Sequence, residues 1–213
     1  MGVLGVVAGL FLAVAATPTT EVDDMPRFER AGLHVGASAG VGGCGSVCTF
    51  PVAGVGRFEL GYRWGLLSVG AGATLGGAAY DRADREGTMT FFSADAFATV
   101  NPIQRGRLDP FFGAGIGYHR LADRYGDGKA WVQAPAFRLS VGLPIFVTRG
   151  VALGPRFDQV LPVSGAQCSE TSDGTACALW SRQLVGLDRE ERQRVRRDRE
   201  RPWAAMLELR VAL

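Results

Sequence analysis

Along residues 57–64 apolar and polar side chains alternate one for one. Phe58, Leu60, Tyr62 and Trp64 share one parity, and Arg57, Glu59, Gly61 and Arg63 share the other. Successive side chains of a strand point to opposite faces, so the stretch predicts a strand with one aromatic face and one ionised face. A helix would scatter both sets around its circumference, because residues two apart lie about 200° apart at 3.6 residues per turn.

The same alternation recurs along the chain. A first strand sets Ala31, Leu33, Val35, Ala37 and Ala39 against Gly32, His34, Gly36, Ser38 and Gly40, and the stretch at 57–64, begun near Val52, is the second. The third sets Leu67, Val69, Ala71, Ala73 and Leu75 against Ser68, Gly70, Gly72, Thr74 and Gly76, ending near Tyr80. In the fourth, Phe92, Ala94, Ala96, Ala98 and Val100 oppose Phe91, Ser93, Asp95, Phe97 and Thr99. The fifth, at 110–119, opposes Phe112, Ala114, Ile116 and Tyr118 to Gly113, Gly115, Gly117 and His119. The sixth carries Phe137, Leu139, Val141 and Leu143 against Ala136, Arg138, Ser140 and Gly142. The seventh sets Val151, Leu153 and Phe157 against Gly154, Arg156 and Asp158, with Pro155 marking a bulge or a weakly paired position. The last runs from Trp203 to the end, with Leu207, Leu209 and Val211 against Met206, Glu208 and Arg210. Eight strands of this kind predict an all-β chain: an eight-stranded antiparallel up-and-down transmembrane β-barrel spanning residues 31–213.

Connection lengths point the same way. The links at 65–66, 101–109 and 144–150 are short, those after the odd-numbered strands tend to be longer and more polar, and 162–202 is the longest. Transmembrane barrels have short turns on the periplasmic side and longer loops outside. An even strand number puts both termini on the periplasmic side.

Composition sharpens the picture. Hydrophobic residues make up 47% of the 213, yet mean hydropathy is only +0.10, so apolar content is dispersed. Beyond the N-terminus no run approaches the ~18 apolar residues of a transmembrane helix. In hydrocarbon every backbone polar group must be bonded within the protein, so strands can cross only as a closed barrel. Eight strands leave an interior just wide enough for side chains. Arg57, Glu59, Arg63, Asp95, Arg138, Arg156, Asp158, Glu208 and Arg210 would project there. Such charges survive burial when paired and hydrogen-bonded, and the inward glycines leave room for the arginines. We therefore expect an ion-pair network as the core; a soluble barrel of the lipocalin type would reverse the two faces. A formal net charge of +2 gives no reason to expect nucleic acid.

At the start, residues 3–16 form an apolar run ending in small residues, which reads as a signal peptide cleaved after Ala15 or Ala16. A short buried helix is the alternative. Residues 17–30, with Pro18 and Pro26, read as a periplasmic lead-in.

The segment at 110–119, PFFGAGIGYH, the strand RFELGYRW and the signal-like start together resemble the small outer-membrane barrel domains of Gram-negative bacteria, the OmpA-type and OmpW-type group. The resemblance spans nearly all of the mature chain. It implies location in the bacterial outer membrane, contact with outer-membrane lipid and lipopolysaccharide, a monomer, and no cofactor.

The cysteines fit an oxidising compartment. Cys44 with Cys48 and Cys168 with Cys177 are close in sequence and fall in two predicted outer loops, so two local disulfides are expected. The alternative, zinc, lacks a histidine near either pair. The mixed-charge run at 188–201 reads as a solvated helix or strand extension. Its sharper reading is an arginine surface, with Arg192, Arg194, Arg196 and Arg197 contacting lipopolysaccharide phosphates through the guanidinium fork.

The expected role is structural or surface-interacting, through the outer loops, and not enzymatic. Two alternatives stand beside it. His119 with Ser93 or Ser140 and Asp95 could make a lipid-modifying enzyme if nucleophile and base came within hydrogen-bond reach; otherwise a histidine on a polar wall serves the internal network. A poorly filled lumen would make a small passive pore.

Overall fold

The computed structural model describes residues 31–43, 52–82, 85–103, 106–126, 128–171, 174–179 and 202–213. They form β1 (Gly32–Gly43), β2 (Ala53–Trp64), β3 (Leu67–Arg82), β4 (Arg85–Val100), β5 (Phe111–Tyr125), β6 (Gly128–Gly142), β7 (Ile145–Phe146), β8 (Val151–Pro162), β9 (Ala166–Thr171), β10 (Gly174–Leu179) and β11 (Trp203–Ala212). All eleven belong to one antiparallel sheet in the order β10-β9-β6-β5-β4-β3-β2-β1-β11-β8-β7, and an additional pairing joins β6 to β8. That pairing runs from Ala136↔Pro162 to Gly142↔Arg156.

The expected eight-stranded architecture is thereby corrected to an eleven-stranded antiparallel sheet. Three strands lie where connections were expected. β7 sits inside the turn at 144–150, and β9 and β10 form a hairpin inside the long connection at 162–202. The hairpin is built from Ala166–Thr171 and Gly174–Leu179, whose small and polar residues give no apolar parity to mark a strand. Two hairpins also run further than expected. β3 and β4 stay paired to Arg82↔Arg85, and β5 and β6 to Tyr125↔Gly128. Backbone pairing continues past the point where apolar alternation ends, because a ladder in water needs no greasy face.

Sidedness follows the sequence parity. On β2, Phe58 is 68% and Leu60 52% exposed, whereas Arg57 is 1%, Glu59 6% and Arg63 3% exposed. Ile116, Phe137, Leu139, Leu207 and Leu209 are likewise exposed, and Asp95, Arg138, Arg156, Asp158 and Glu208 are buried. The interior is thus the polar side of the sheet. It is bounded by small apolar groups. Ala53, Met89 and Leu121 pack with Ala78, Tyr80 and Phe91, while Val55, Ala204 and Met206 pack against Phe91 from another side.

Turn chemistry sets the register. Between β2 and β3, Trp64 pairs directly with Leu67, leaving a two-residue turn whose first residue, Gly65, has φ 58°. Glycine at that position suits the tight hairpin turns that match strand twist. In β8, Pro155 keeps regular register with β11 opposite Leu207. Its other edge faces the break between β6 and β7, where its carbonyl accepts from the Leu143 amide at 2.9 Å. The N–H that proline lacks would point into that break.

Strand approach is close where glycine permits it. A Cβ on Gly117 would strike the Ala94 carbonyl and the Asp95 backbone across the β4–β5 pair, whereas one on Gly54 would meet nothing within 4 Å. Gly117→Ala should lower unfolding stability by about 1–3 kcal/mol, and Gly54→Ala should stay within about 0.5 kcal/mol of the parent, as read by denaturant titration in detergent or bilayer.

Candidate functional site

The interior of the sheet holds ten ionised side chains in one connected set: five arginines, Arg57, Arg63, Arg138, Arg156 and Arg210, and five carboxylates, Glu59, Asp95, Asp109, Asp158 and Glu208. Alternation on β2, β4, β6, β8 and β11 aims nine of them inward. Every one of the ten is buried.

Arg57 grips Asp95 with both terminal nitrogens, at 2.8 and 3.0 Å, and also donates to the Thr74 hydroxyl at 3.2 Å and to Glu59 at 3.3 Å. Arg138 donates to Asp158 at 2.8 Å and to the Ser93 hydroxyl. Its Nε lies 2.9 Å from Asp95 without the alignment of a hydrogen bond, so that contact is a charge contact. Arg156 bridges two strands of the wall, donating to Asp158 at 2.8 Å and to Glu59 at 2.6 Å. Arg210 donates twice to Glu208, at 2.8 and 3.1 Å, and approaches Asp109 at 3.5 Å. Arg63 places one nitrogen 2.8 Å from each oxygen of Asp109.

Each carboxylate therefore meets at least two arginines, and the formal charges of the ten sum to zero. Neutrality matters because an unpaired buried charge carries a desolvation penalty of several kcal/mol. Inward glycines supply the space. A Cβ on Gly36 would run into Glu59, one on Gly72 into the Arg57 guanidinium, and one on Gly142 into the Phe111 ring. Phe111 is fully buried beneath the network, with the guanidinium carbons of Arg210 and Arg156 at 4.9 and 5.5 Å from its centroid.

Asp109 was not among the inward residues expected from sequence, because it precedes the fifth strand and lies in a connection. Its backbone N–H is pinned by a hydrogen bond donated to the Pro144 carbonyl at 2.9 Å. A signal did exist: the nine alternating charges comprise five arginines and four carboxylates, one acid short of neutrality.

The histidine–serine set is not assembled. His119 is 2% exposed and, among the described residues, neither ring nitrogen has a hydrogen-bond partner. It stands opposite Ser93 in the β4–β5 register, yet Ser93 takes its hydrogen bond from Arg138, Ser140 is approached by Arg156 at 3.4 Å, and Asp95 is held by Arg57. Nor does His119 take part in the hydrogen-bonded network, contrary to the expectation for a histidine on a polar wall.

Cys168 on β9 and Cys177 on β10 form a disulfide between directly paired residues of the hairpin. Cys44 and Cys48 lie outside the described residues, as do Arg192, Arg194, Arg196 and Arg197 and the predicted signal and lead-in at 1–30. Among the described residues no cluster of His, Cys, Asp and Glu is arranged to hold a metal ion.

No family model matches the chain. No curated protein matches it either. Solved structures do. Neisserial surface protein A is similar with a TM-score of 0.54 and 15% identity, over 86% of this chain and 98% of that one. A major outer membrane protein from Thermus thermophilus is similar with a TM-score of 0.58 and 11% identity, over 85% and 98%. The chain has an outer-membrane-type β-barrel fold. At these identities the likeness is one of fold, and it singles out no named family, the OmpA-type and OmpW-type group included.

Within this barrel Asp158 is the carboxylate shared by Arg57, Arg138 and Arg156. Asp158→Asn should destabilise the fold by about 3–5 kcal/mol, since it leaves buried guanidinium groups uncompensated. The exposed Glu86→Gln should change unfolding free energy by less than about 0.5 kcal/mol under the same denaturant titration.

Proposed function

We propose that the protein resides in the outer membrane and serves a structural or surface-interaction role through the end of the barrel opposite its termini. The observation that carries this reading is the inversion of faces, with Phe58, Leu60, Ile116 and Leu207 turned outward and ten ionised residues sealed inside. An exterior of that kind is stable against hydrocarbon and unfavourable against water. The similarity to outer-membrane structures supports the same location.

The filled interior argues against conduction. Among the described residues, three cavities that touch the network have volumes of about 20, 10 and 10 Å³, room for about one water each. The role of the network is then to hold the wall together from within and to plug it.

The end opposite the termini offers the surface for partners. There β9 and β10 are tied by the Cys168–Cys177 disulfide and extend the edge of β6 through residues 129–133. We assign Arg192, Arg194, Arg196 and Arg197, from the same connection, to contact with lipopolysaccharide phosphate; this assignment rests on their sequence and on guanidinium–phosphate geometry.

Planar-bilayer recording of the purified chain tests the plugged reading. The expected result is an unchanged baseline, and regular steps of conductance would overturn it. In the same preparation the mass of lipid A should remain constant on prolonged incubation; release or transfer of an acyl chain would replace the structural reading with an enzymatic one.

A further inference from the structure

The outward faces of β4, β5 and β6 change character at one row. Ala94, Tyr118 and Pro135 are cross-strand partners on the apolar side of the change. The next outward row reads Leu75, Phe92, Arg120, Gln133, and the one after it Gly77, Thr90, Ala122, Trp131. Beyond these stand Arg124 and Lys129, themselves paired. Cationic side chains thus appear directly at the border of the apolar belt.

A groove of about 560 Å³ lies on this border, lined by Leu75, Thr90, Phe92, Arg120, Ala122 and Lys129. Small side chains hollow it out, since Gly77, Thr90 and Ala122 form a row of little bulk between larger neighbours. Its walls differ in chemistry: Leu75 and Phe92 are apolar and exposed, while Arg120 and Lys129 are cationic.

The two cations flank one indole. The Arg120 guanidinium carbon and the Lys129 ammonium nitrogen each lie 5.5 Å from the Trp131 ring centroid. Such contacts hold the cations over the ring face and neutralise nothing. Among the described residues neither cation has an ion pair. Glu170 is the register partner of Lys129 without forming one. The Arg120 Nε is buried and, among the described residues, without a hydrogen-bond partner. Two positive charges 5.5 Å from one ring, beside an apolar trough, call for an amphiphilic anion.

We propose that this groove binds a phosphorylated glycolipid of the surrounding leaflet, its phosphate monoester held by Arg120 and Lys129 and an acyl chain laid along Leu75 and Phe92. A guanidinium offers forked donors and an ammonium a compact charge, a pair suited to a tetrahedral dianion. An interfacial indole anchors the sugar–chain boundary. The inference rests on the outer-membrane reading and assigns a lipid site separate from the arginines at 192–197.

The test uses the full chain in nanodiscs of zwitterionic phospholipid doped with diphosphoryl lipid A, with retained lipid read by native mass spectrometry. Arg120→Gln combined with Lys129→Gln should cut retention at least about tenfold, Arg124→Gln should leave it unchanged, and wild type should retain dephosphorylated lipid A at the level of the double variant. Equal retention by the double variant, equal retention of the phosphate-free lipid, or displacement by millimolar inorganic phosphate would each overturn the lipid site. Insertion is scored separately by heat-modifiable gel migration. A chain that inserts without phosphate-dependent retention removes the groove alone, whereas one that fails to insert removes the outer-membrane reading and the groove with it.

Discussion

A guanidinium or carboxylate taken out of water must meet an opposite charge, and this requirement governs the interior of the barrel. The ten buried ions satisfy it by sharing. Glu59 meets Arg57, Arg156 and Arg210, and Asp158 meets Arg57, Arg138 and Arg156. Because these residues come from β2, β4, β6, β8 and β11, the pairs tie together strands that are not neighbours in the wall. Arg156 and Glu59 lie 97 residues apart in sequence. Backbone ladders hold adjacent strands together; the ion pairs hold opposite sides at a fixed separation.

Shape follows from the same need. Long ionised side chains crossing the interior leave room for little else, so glycines face them, Gly72 the Arg57 guanidinium and Gly36 the Glu59 side chain. Where the charges end, apolar groups take over. Phe111 lies under Arg156 and Arg210 at the end near the termini, and Met89, Leu121 and Phe91 fill the opposite end. Burial of the charges among these groups strengthens each charge contact through the lower local dielectric. The exterior then carries the apolar load that a water-soluble fold would hide.

Period-2 alternation made much of this legible in the chain. The parity of residues 57–64 separates Phe58 and Leu60 from Arg57 and Glu59, and the fold separates them likewise. What was not legible is where apolar alternation is not required. The β3–β4 and β5–β6 hairpins beyond the apolar rows and the β9–β10 hairpin are paired backbone without a sustained apolar parity, so they read as loops. Among the described residues eleven strands stand where eight were expected: β9 and β10 were missed for this reason, and β7 because two residues are too few to show a period. Asp109 was missed for another reason: its position is set by a backbone contact to Pro144, which no local periodicity reports.

The Arg120–Trp131–Lys129 arrangement depends on long-range register in the same way, since cations nine residues apart in sequence meet over one ring only once β5 and β6 are paired. Yet all of these assignments presuppose which face meets lipid. The direct measurement is methyl NMR of the protein in bilayer nanodiscs with two paramagnetic probes, a spin label on the acyl chain and a water-soluble gadolinium complex. The methyls of Leu60, Ile116, Leu139 and Leu207 should be broadened by the acyl-chain label and spared by gadolinium, while those of Val55, Thr74 and Met206 should be spared by both. Broadening of the Leu60 and Leu207 methyls by gadolinium, with no response to the lipid label, would contradict the account.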